Sequence, residues 1–211
     1  MSLPPAYLPV EYDGSPGPVI VFEGVSGIGK TTLVKTVTQR LKATRLHTLP
    51  LPHSDWSSAV NARLRPLPQF AFYLSGVLHA SDSIRHARMI GPVIVDRYVS
   101  SVIACHAAVH SVAVETVTGL LEPFRPHLAR PTRTFYLRCS ESTLRQRMAD
   151  KQDVKQDDTD LFTIPYRLPR LLANFEAVAA SDPTAVFVDT DDKTPDKLAD
   201  WVIAHLGANG A

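Results

Sequence analysis

Short, nearly continuous apolar runs alternate along the chain with longer stretches whose apolar positions recur three and four residues apart. The short runs fall at 18–23 (PVIVFE), 45–51, 92–95 (PVIV), 132–138 (TRTFYLR) and 184–188 (TAVFV). The longer ones span 30–42, 59–88, 100–124, 142–151, 162–180 and 195–206. The first spacing predicts strands and the second helices, so the chain reads as α/β. Runs rich in β-branched residues suit strands covered on both faces, as in a parallel sheet. Prolines punctuate 49–53 (LPLPH) and 65–68, where helix breaks are expected. The stretch 150–160 (DKQDVKQDDTD) is too polar to pack on a core and predicts an exposed loop or lid.

The length of 211 residues suits one domain, and 45% hydrophobic against 20% charged residues is enough to bury a sizeable core. Residues 1–17 are proline-broken and lack a basic start, so they predict an N-terminal arm rather than a signal peptide. Residues 18–211 then form the domain, with the lid at about 150–161. The formal net charge of +1 leaves no global field to attract nucleic acid or an anionic membrane, so any anion site must be local. No apolar run reaches the length of a membrane span. The two cysteines, Cys105 and Cys139, have no metal-ligand spacing and suit a reducing, cytoplasmic setting. The eight histidines form no ligand cluster either.

Gly24-Val-Ser-Gly-Ile-Gly29-Lys30-Thr31 satisfies G-x-x-x-x-G-K-[ST] directly after a predicted strand and directly before a predicted helix. Glycines at that spacing let the N–H groups of Ser26, Gly27, Ile28, Gly29, Lys30 and Thr31 converge on phosphate oxygens, aided by the positive end of the following helix, with Gly24 and Thr32 completing the cofactor-binding set. Lys30 is placed to bridge β- and γ-phosphates and Thr31 to hold Mg²⁺. This predicts a nucleoside triphosphate site. A guanine-reading N-K-x-D is missing, which argues against a GTPase. The third strand ends in Asp96-Arg97-Tyr98, where a carboxylate can hold metal-bound water or accept a proton and a guanidinium can grip a phosphate.

FEGVSGIGKTT (22–32) followed by VIVDRYVSS (93–101) resembles the thymidylate kinase family and, more distantly, the deoxynucleoside kinases. The likeness extends at pattern level over about residues 18–206. It implies a three-layer fold with a parallel five-stranded sheet, ATP and Mg²⁺, a nucleotide or nucleotide-like acceptor in one cleft, and a homodimer, with no nucleic-acid or membrane partner. It implies that Lys30, Asp96 and Arg97 are catalytic, that Thr31 and Asp96 hold the metal, and that Phe72, Arg97 and Tyr98 meet the acceptor. The loop lacks the arginine that some thymidylate kinases carry, so the similarity to lid-basic members points to Arg147, with Arg145, Lys151 and Lys155 nearby, for transition-state charge.

The chain also departs from the family it resembles. Ser26 stands where members generally have a carboxylate, Gly76 where an arginine contacts thymine, and Val102 and Cys105 where many have asparagine and tyrosine. The arginine expected after the second strand is missing from 47–52. These departures predict that dTMP itself is not the best acceptor, and that a larger or differently substituted nucleotide fits the space beside the small Gly76 and Cys105. Two other readings remain open at this point: a kinase for a nucleoside or small-molecule hydroxyl with Asp96 as base, and a non-catalytic ATP-binding switch.

Overall fold

The computed structural model describes residues 15–208. Most of the predicted arm, residues 1–14, lies outside them. Five parallel strands form the centre: β1 (Val19–Glu23), β2 (Thr44–His47), β3 (Val93–Asp96), β4 (Arg133–Arg138) and β5 (Ala185–Asp189), in the order β2-β3-β1-β4-β5. The described helices are α1 (Lys30–Leu41), α2 (His53–Arg63), α3 (Pro66–Ala87), α4 (Val99–His110), α5 (Val114–Leu121), α6 (Glu141–Ala149), α7 (Gln156–Thr163), α8 (Arg167–Ala180) and α9 (Pro195–Ala208), with a 3-10 turn at Glu122–His127.

All five residues of β1 are buried, and their period-2 alternation divides them between two apolar layers. Ile20 and Phe22 join α1, α8 and α9 on one face, whereas Val19 and Val21 join α3, α4 and α5 on the other. This is the three-layer arrangement expected from unbroken apolar runs. From β1 the chain passes outward to β2, returns through β3 beside β1, and then crosses to β4 on the far side. Such a reversal opens a crevice at the carboxyl ends of the strands, and both sharp motifs, the loop after β1 and Asp96 at the end of β3, sit there.

Several boundaries differ from the sequence pattern for local reasons. The second strand stops at His47 because Pro50 and Pro52 end it, and the helical stretch beyond begins already at His53. The expected break before residue 68 is real: α2 ends at Arg63 and Pro66 opens α3. The stretch 100–124 is not one helix, because Ser111 turns left-handed at φ 56° and closes α4. The polar stretch 150–160 is only partly an exposed loop. Its second half forms α7, and Asp158 is buried there with Leu161. The carboxylate of Asp158 pairs with Lys151 and accepts the Lys155 N–H at 3.0 Å, so a charge that reads as solvated caps a helix instead.

Candidate active site

The phosphate loop takes the shape its glycines permit. Gly27 has φ 82°, and an added Cβ would lie 2.3 Å from Met148 Sδ of α6, so both conformation and space restrict the position to glycine. Gly29, at φ 98°, leads directly into α1. Lys30 folds back over the loop, its Nζ donating to the carbonyls of Gly24 (2.7 Å) and Val25 (2.6 Å). Burial, reinforced by the neighbouring Arg97 charge, pushes the Lys30 ammonium well below the usual lysine range. A cation held this way in a dry site gains when an anion arrives.

Asp96 is buried at the end of β3, with Thr31 Oγ1 3.4 Å from its Oδ2. A hydroxyl and a carboxylate side by side at the loop fit a magnesium ion held partly through water, with phosphate oxygens completing the shell. Arg97 has φ 67°, a left-handed conformation that an arginine adopts only under constraint. The constraint is visible: its N–H donates to the Phe22 carbonyl at 3.0 Å, and its Nη1 to Gly24 O (3.0 Å) and Ser101 Oγ (3.1 Å). Glu23, fully buried behind it, accepts from the N–H groups of Tyr98 (2.8 Å) and Ser101 (3.2 Å) and from the Ser101 hydroxyl. Glu23 thereby fastens the start of α4. Burial raises its pKa, opposed by those bonds and by Arg97.

The structure thus brings Gly24, Ser26, Lys30, Thr31, Asp96 and Arg97 together. Tyr98 is not with them. Its side chain is 3% exposed, and its hydroxyl contacts Ser81 and accepts the Ala129 N–H at 3.0 Å, so the alternation after Arg97 turns it into the core between α3 and α4 instead of the cleft. Phe72 is half-buried against the His53 ring of α2, centroids 5.4 Å apart. Arg147 does not project freely either: it donates to the Ile28 carbonyl (2.9 Å), the Thr190 hydroxyl (2.8 Å) and the Thr190 carbonyl (2.8 Å), tying α6 to the loop. Arg145 is paired with Glu141, and Lys151 with Asp158.

Gly76 leaves no room for a larger acceptor. A Cβ there would fall 2.5 Å from Leu49 Cδ2, so Leu49 occupies the vacated space and that part of the expectation is corrected. Two features escape a local reading of the residues. Arg45 of β2 reaches Asp96 (Nη2 to Oδ2 3.5 Å), because the parallel register sets β2 beside β3. A cleft of 310 Å³ lies between the loop and α9, lined by Ile28, Thr32, Leu33, Arg147, Lys193 and Pro195. Nothing in the residues around Lys193 marks them as facing the loop.

A strand, phosphate loop and helix with an Asp-Arg pair at the neighbouring strand end, on a parallel sheet of this order, define a P-loop phosphotransferase. The sequence model of the thymidylate kinase family matches residues 22–194, and the chain belongs to that family, as a nucleoside monophosphate kinase. Among solved structures it resembles the Candida albicans thymidylate kinase, described as having broad substrate specificity, at 18% identity and TM-score 0.74 over 92% of this chain and 93% of that one. It also resembles the Ehrlichia chaffeensis thymidylate kinase at 17% identity and TM-score 0.67, over 91% of this chain and 100% of that one. Compared by sequence with curated proteins, it matches none.

Proposed function

We propose that this kinase transfers the γ-phosphoryl group of ATP to the phosphate of a nucleoside monophosphate. The observation that carries the proposal is the corner where Thr31, Asp96, Arg97 and Arg45 meet beside the buried Lys30. On donor binding, Lys30 exchanges the Gly24 and Val25 carbonyls for phosphate oxygens, and the loop N–H groups take the rest. The cleft lined by Thr32, Leu33 and Lys193 has the volume and position for the donor base, with Arg147 positioning the loop through Ile28. Thr31 and Asp96 would hold Mg²⁺, which when bound neutralises phosphate charge. An acceptor phosphate oxygen attacks the γ-phosphorus, the bond to the β–γ bridging oxygen breaks, and ADP leaves.

Arg97 supports a phosphorylated acceptor over a hydroxyl, because a strained, anchored guanidinium offers a planar fork to a dianion. Arg45, 3.5 Å from the Asp96 carboxylate, adds a second guanidinium to the same corner, where it can meet phosphate charge. The family also supports a homodimer, to be checked by light scattering, and the free Cys105 and Cys139 suit a reducing cytoplasm. The deciding experiment is ADP release measured against nucleoside monophosphates, nucleosides and simple alcohols. Turnover with monophosphates is expected, and turnover confined to unphosphorylated alcohols overturns the proposal.

A further inference from the structure

A second cavity, of 210 Å³, adjoins the start of the phosphate loop and runs between the edge strand β5, its neighbour β4 and α8. Gly24 and Val25 line it, and of its lining residues only Leu137 is shared with the cleft beside α9. Tyr136 and Phe187 contribute from the sheet, paired across the β4–β5 register with ring centroids 5.9 Å apart. Leu172 and Phe175 contribute from α8. Phe187 is still 40% and Leu172 37% exposed, apolar surface that gains when a ligand covers it.

Arg138 lines the same cavity in a fixed pose. Its guanidinium carbon lies 3.4 Å from the centre of the Phe187 ring, and its Nη2 donates to Glu176 of α8. Among the described residues its Nε and Nη1 have no hydrogen-bond partner. Because Glu176 already balances the positive charge, the unused edge of the fork calls for an acceptor atom rather than a counter-ion. Size sets the rest. An apolar cavity of about 150 Å³ holds benzene, so this one takes a single aromatic ring with a small polar substituent.

We infer that this cavity is a regulatory site for a small, uncharged planar ring carrying a carbonyl oxygen, and that its occupant opposes ATP. The inference goes beyond the proposed transfer reaction and takes from it only the ATP site. The ring packs among Tyr136, Leu172, Phe175 and Phe187, and the carbonyl accepts from Arg138. Opposition to ATP arises in the shared loop segment. The carbonyls that hold Lys30 at 2.7 and 2.6 Å belong to Gly24 and Val25, the two loop residues of the cavity wall. At Gly24, φ is 138° and an added Cβ would lie 3.0 Å from the Leu137 carbonyl oxygen, so the loop starts tight against β4. Donor binding draws Lys30 off those carbonyls and lets the segment relax, whereas an occupant of the cavity packs on it as it stands. The two ligands therefore favour different loop states, and each weakens the other by the same factor.

The test titrates the full chain with benzamide by NMR, beside cyclohexanecarboxamide, which lacks the flat ring, and aniline, which sets a donor against Arg138. Benzamide is expected to bind with a Kd of ~1 mM, and the other two about fivefold more weakly or worse. Leu172→Trp, which fills the cavity, should abolish binding while phosphoryl transfer is unchanged. Arg138→Met should erase the preference for benzamide over aniline, and it carries the test if Leu172→Trp fails to fold. Saturating benzamide should raise the Kd for ATP by about fivefold and then level off, as coupling between separate sites requires and displacement from one site does not. Absence of binding at about 20 mM benzamide overturns the inference. So does binding that survives Leu172→Trp or ignores Arg138→Met, and so does an ATP affinity that stays constant or falls without limit. A protein that binds benzamide in this cavity but no ATP overturns the kinase reading, and the coupling with it.

Discussion

At the scale of single residues, the site stores conformational cost where it needs fixed charge. Arg97 holds a left-handed backbone that costs about 1 kcal/mol or more for a residue with a Cβ, and it is kept there by Phe22 O, Gly24 O and Ser101. Both Arg97→Ala and Arg97→Gly should raise the KM for the acceptor phosphate by a hundredfold or so. Urea midpoints should nevertheless find the glycine variant about 1 kcal/mol more stable than the alanine one, since only glycine relieves the strain. Lys30→Ala removes a buried cation whose neighbours are two carbonyls, so the fold should survive in circular dichroism while phosphoryl transfer falls on the order of a thousandfold. Gly76 shows the opposite case, an ordinary backbone beside which the end of the Leu49 side chain, 2.5 Å from an added Cβ, would have to move. Restoring the family's side chain with Gly76→Arg should destabilise by about 1–3 kcal/mol, read from the melting transition, because Leu49 fills the site.

At the scale of elements, polar caps and buried imidazoles set how the helices respond to conditions. Asp158 both caps α7 and pairs with Lys151; burial alone would raise its pKa, yet the bonds from Lys151, the Lys155 N–H and Ser26 hold it below the usual carboxylate range. Asp158→Ala should free α7, and amide hydrogen exchange across residues 156–163 should quicken by about tenfold while the central strands stay protected. On α4, burial and the adjacent His110 lower the His106 pKa from 6.5 to about 4. A base whose folded pKa is depressed leaves the unfolded chain to bind the proton first, so stability falls as pH drops below 6.5 and the loss levels off near 4. Between pH 7.5 and 5 this amounts to about 2 kcal/mol, and His106→Gln should flatten the urea-midpoint profile over that window by roughly that amount.

At the scale of the whole molecule, the sheet order assembles a site from segments that are distant in sequence. In the proposed reading the donor side comes from β1, α1 and the residues after β5, and the acceptor side from the ends of β2 and β3. A ligand that binds only this assembled state must stabilise it. Mg²⁺ with ATP at about a hundred times its dissociation constant should add roughly 2.7 kcal/mol, seen as a rise of several degrees in the melting temperature and lost in Lys30→Ala. Among the described residues no helix is long and apolar enough to cross a membrane.

The sequence by itself determined the parallel α/β class, the placement of the phosphate loop and the Asp96-Arg97 pair, because these follow from local periodicity and from contiguous residues. The break before Pro66 was legible for the same reason, proline acting on its own neighbours. Only the tertiary structure decided that Tyr98 packs inward against Ser81, that Leu49 fills the gap at Gly76, and that Arg147 and Asp158 are engaged by the loop and by Lys151. Arg45 reaching Asp96 and Asn61 meeting Asp157 depend on strand register and helix packing across 51 and 96 residues of chain. A side chain's partner over such separations is set by how whole elements dock, and a one-residue shift in register or a fraction of a helical turn would exchange it for another.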